Sequence, residues 1–64
     1  MNWQISQWCD TEQRGHLAIK SARECIAKGG SLLEAVTLVV NDSPFTFTVK
    51  PVDVVDQFAY LTET

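Results

Sequence analysis

A chain of 64 residues, 45% apolar and 20% charged, has room for one domain around one core. It lacks charge blocks, low-complexity tracts and Pro/Ser/Gly-rich linkers, which argues against disorder. A net charge of −3 argues against a nucleic-acid surface, and the longest near-continuous apolar stretch, Leu32 to Val40, is too short to span a bilayer.

A domain of this size buries only about 60% of the surface its unfolded chain exposes. Its core supplies roughly 3–5 kcal/mol of stability, so a partner or self-association can contribute to folding as well as to function.

The chain opens Met1-Asn2-Trp3, without the basic and apolar segments of a signal peptide, so a cytoplasmic protein is expected. Over residues 2–8, Trp3 and Ile5 share a face in a strand, whereas Ile5 and Trp8 share one in a helical turn. The stretch is too short for periodicity to separate the two, and an N-terminal strand stays open.

Asp10 at an N-cap position, Glu12 at the positive end of the dipole and Gln13 at the capping-box position predict a helix over about 11–28, stopped by Gly29-Gly30. Ala18, Ile19, Ala22, Cys25 and Ile26 form its thin apolar stripe, suited to a flat sheet. Leu17 lies off that stripe, on the side of Ser21, Glu24 and Lys28. Arg14, Lys20, Arg23 and Lys28 interleave with Glu12 and Glu24, which reads as a solvated face before a phosphate-binding one.

Ser31, followed by Glu34, starts either a helical turn or a strand. Beyond it the alternation favours a β-hairpin over about 35–50: Val36, Leu38 and Val40 on one strand, and Phe45, Phe47 and Val49 on the other. Pairing Val40 with Phe45 puts all six on one face, and Pro44 makes residues 41–44 a four-residue loop. Thr37, Val39, Thr46 and Thr48 form the wetter face. Asp53 as N-cap, with Val54, Phe58 and Leu61 on one stripe, predicts a short helix over 53–62.

The expected fold is α+β, a single domain over 1–64 in which two helices cover a two-stranded ribbon. This α-β-β-α order resembles that of the small phage head–tail joining proteins; element order carries no function with it.

Site chemistry is sparse. Cys9, His16 and Cys25 are the only soft ligands, without a Cys-x-x-Cys pair or a second histidine, so no metal is expected. A Cys9–Cys25 disulfide is not expected in the cytosol. Gly29-Gly30-Ser31 lacks the phosphate-loop spacing, and Asp53 and Asp56 read as helix-capping acids. Nothing near His16 supplies a nucleophile and an orienting group, so neither enzyme activity nor a cofactor is expected.

The aromatics carry the functional hint. Trp3, Trp8, Val39 and Tyr60, with Thr46 and Thr48 on the hairpin's wetter face, are the candidate contacts for another protein. The leading expectation is a non-catalytic accessory factor, in its sharpest form a phage- or mobile-element-encoded inhibitor or modulator of a host or defence protein. A structural assembly component (virion connector or homo-oligomer, including a homodimer) is the alternative. A nucleic-acid-binding regulator is the second.

Overall fold

The computed structural model describes residues 5–63. Its elements are α1 (Ile5–Thr11), α2 (Gln13–Ala27), α3 (Leu32–Asp42), α4 (Pro51–Val54) and a 3-10 stretch (Val55–Thr62). No strand occurs among the described residues, so the expected α+β class is replaced by an all-helical one. The phage-like element order, which needed the hairpin, goes with it. Positions 2–4 of the possible N-terminal strand lie outside the described residues, and 5–8 are helical.

The correction turns on Ser31. Its hydroxyl accepts from the Glu34 N–H at 3.1 Å, while the Glu34 carboxylate accepts from the Ser31 N–H at 3.4 Å. This capping box satisfies two backbone donors that a helix start leaves unpaired, and it launches α3 where the hairpin was expected. Val36 and Val40 fit both a period of two and a helical repeat. The helix adds Ala35 and Val39, and all four are buried. Leu38, inward-facing in the hairpin, is 44% exposed instead. Thr37 is accommodated by donating to the Leu33 carbonyl at 2.7 Å. Ser31→Ala is expected to remove about 1 kcal/mol of stability, read as a lower urea midpoint with an unchanged slope. No change at all would mean that the cap contributes nothing.

Pro44 ends α3 instead of shaping a hairpin loop. The buried Ser43 hydroxyl donates to the Val40 carbonyl at 2.9 Å and accepts from the Phe45 N–H at 3.2 Å. The Thr48 and Val49 N–H groups both return to the Phe45 carbonyl. Residues 45–48 are therefore a turn, and their alternation is never used.

The helix expected over 11–28 is interrupted at its start. Glu12, in extended conformation, is the N-cap of α2, and Asp10 lies inside α1. Thr11 donates its hydroxyl to the Gln7 and Trp8 carbonyls, closing α1. At the other end Gly29 takes φ 96°, with Gly29 N–H donating to Ile26 and Gly30 N–H to Cys25, the paired bonds of a Schellman stop.

Gly15 explains how α1 can lie against α2. A Cβ there would collide with the Cys9 backbone, whose carbonyl oxygen would be 2.9 Å away. Glycine inside a helix is worse than alanine by up to about 1 kcal/mol, so Gly15→Ala, in the first turn of α2, would not destabilise that helix by itself. In the folded chain the same change is expected to destabilise by about 1–3 kcal/mol. A gain in stability by urea denaturation would show that α1 does not pack there.

α2 and α3 form the most extensive pairing, an antiparallel hairpin of helices. Small residues on both (Ala18, Ala22, Ala35) let the backbones approach, and Ile5, Phe58 and Leu61 close the core from α1 and the C-terminal stretch. That stretch departs from a regular helix over 53–62. Lys50 is its N-cap, and Pro51 sits in the first turn, where a proline lacks no needed donor. β-branched Val52, Val54 and Val55 disfavour α-helix. The chain continues as 3-10 with a break at Phe58 (φ −115°, ψ 15°).

Candidate functional site

The helical stripe that faces the core is not the only one that α2 and α3 present. Arg14, Leu17, Ala18 and Ser21 fall on one flank of α2, and Leu38 and Asp42, four apart, on the adjoining flank of α3. Together they line an open groove of about 420 Å³. Leu17 is 57% exposed, and with Leu38 it makes the groove's apolar wall.

Arg14 closes one end. Its guanidinium donates to the Asp42 backbone carbonyl at 2.7 Å and approaches the Asp42 carboxylate at 3.4 Å. Both side chains are well exposed, so the ion pair itself contributes little. The bond to the carbonyl matters more for geometry, because it caps an unpaired acceptor at the C-terminus of α3. Arg14 also borders a second hollow of about 280 Å³, shared with Trp8, Glu12 and Pro44. Three residues beyond Pro44, on the 45–48 turn, Phe47 is 97% exposed.

The six residues singled out from the sequence are dispersed. Trp3 lies outside the described residues. Trp8 is buried apart from the edge that lines the second hollow. Val39 is fully buried on the inner face of α3 and has no surface to offer. Thr46 is half-buried, and Thr48 is exposed with its hydroxyl donating to the Phe45 carbonyl at 3.1 Å. Tyr60 is half-exposed on the 3-10 stretch, with the Arg23 guanidinium 5.9 Å from its ring centroid. Leu17, Leu38 and Phe47 were not among the six. The off-stripe position of Leu17 is visible in the sequence, but the alternation over 36–49 places Leu38 and Phe47 in a hairpin interior.

The basic residues of α2 do not converge. At about 100° per residue, Arg14, Lys20 and Arg23, with Lys28 at the C-cap, spread over about half of the helix circumference. Arg14 is engaged by Asp42, and Arg23 by Tyr60. His16 Nε2 lies 3.0 Å from the Asp10 carbonyl oxygen, which makes that nitrogen the donor and ties the α1–α2 junction together. Among the described residues, no three His, Cys, Asp or Glu side chains gather as a metal site requires. Among them, too, no helix is long and apolar enough to cross a membrane.

Both cysteines are free thiols. Burial, reinforced by Asp10 and Asp42, pushes the Cys9 thiol from 9.0 up to about 11. Burial, then Cys9 and Asp10, also raise Tyr60, with Arg23 opposing them. The folded state therefore holds the Cys9 proton after the unfolded chain has lost it. Stability is expected to fall as pH rises from about 9 to about 11 and to be free of this effect below pH 9. Urea midpoints across that range check it. A Cys9→Ala variant whose midpoints fall as steeply would assign the decline elsewhere.

Compared with protein-family models, curated proteins and solved structures, the chain matches none.

Proposed function

We propose that this chain is a non-catalytic protein-binding module that works through its exposed Phe47 and the α2–α3 groove. The observation that carries this reading is the exposure of Phe47. Burying a phenylalanine side chain is worth about 1.5–3 kcal/mol, against a total of roughly 3–5 kcal/mol for a core of this size. A chain so short of apolar burial nevertheless holds Phe47 in water and leaves two leucines exposed on the wall of the α2–α3 groove. Exposed aromatic anchors and apolar hollows are the features that protein interfaces bury. We take the compartment to be a reducing, cytoplasmic one; the two free cysteines support this.

The test is capture by tagged wild-type protein and by its Phe47→Ser variant, from source cells that also express the untagged chain. Because Phe47 packs against almost nothing, the variant's circular dichroism is expected to match the wild type. Wild type should retain a protein that the variant loses. Equal retention by both, or none by either, overturns the proposal.

A further inference from the structure

We draw no further inference here: the strongest candidate, the open groove between α2 and α3 walled by the exposed Leu17 and Leu38 and closed at one end by Arg14 and Asp42, belongs to the surface already described, and nothing in the structure shows what covers it.

Discussion

Val39→Asp is expected to unfold the chain at room temperature, while Leu38→Asp, one residue away, leaves it folded. Val39 is fully buried on the inner face of α3, in a core whose buried members among the described residues are apolar apart from Ser43. Stranding an ionised group there costs several kcal/mol, at least as much as the roughly 3–5 kcal/mol that a core of this size supplies. Leu38 is on the groove wall, where a carboxylate stays hydrated, and substitutions at such sites usually fall within about 0.5 kcal/mol. Far-UV circular dichroism and thermal melts separate the two directly. The hairpin register would produce the opposite order, because it points Leu38 inward and Val39 outward. Intact helicity in Val39→Asp together with unfolding of Leu38→Asp would therefore reject α3 as a helix.

Phe58→Ala is the second large effect. Phe58 is the bulkiest fully buried side chain among the described residues, and it sits at the break in the 3-10 stretch with its ring centroid 6.3 Å from that of Tyr60. Truncating a buried phenylalanine typically costs about 3–5 kcal/mol, which again equals the stability available. The expected result is loss of a cooperative thermal transition, the C-terminal stretch having lost its main anchor on α3. Phe47→Ala provides the contrast, since it removes a ring that touches solvent almost everywhere. Its melting midpoint is expected to stay at or slightly above the wild-type value. Equal effects from the two substitutions would mean that the burial assigned to Phe58 is wrong.

These expectations mark where the sequence was readable. The Gly29-Gly30 stop needed only local chemistry, because left-handed backbone and unpaired carbonyls at a helix end are met by glycine whatever lies around it. The Ser31/Glu34 capping box was equally local and was present in the sequence, yet it was outweighed by ten residues of alternation. Val36 and Val40, four apart, satisfy both periods, so the apolar pattern did not discriminate between them. The candidate surface was harder still. Leu17 was visibly off the α2 stripe, but Leu38 and Phe47 become surface residues only once α3 is a helix and 45–48 is a turn.

The sequence by itself determined an alanine-lined helix stopped by Gly29-Gly30 and a capping box at Ser31 and Glu34. Those features depend on composition and on contacts within a few residues. Tertiary structure decided the rest. It chose the helical period for residues 32–42, because only that period buries Ala35, Val36, Val39 and Val40 together against α2 and the C-terminal stretch. It required glycine at position 15, where α1 crosses within van der Waals reach of the α2 backbone. It also separated two phenylalanines of equal hydrophobicity, sealing Phe58 in the core and leaving Phe47 in water. Burial belongs to the packed assembly of elements, and no single residue's neighbours in sequence specify it.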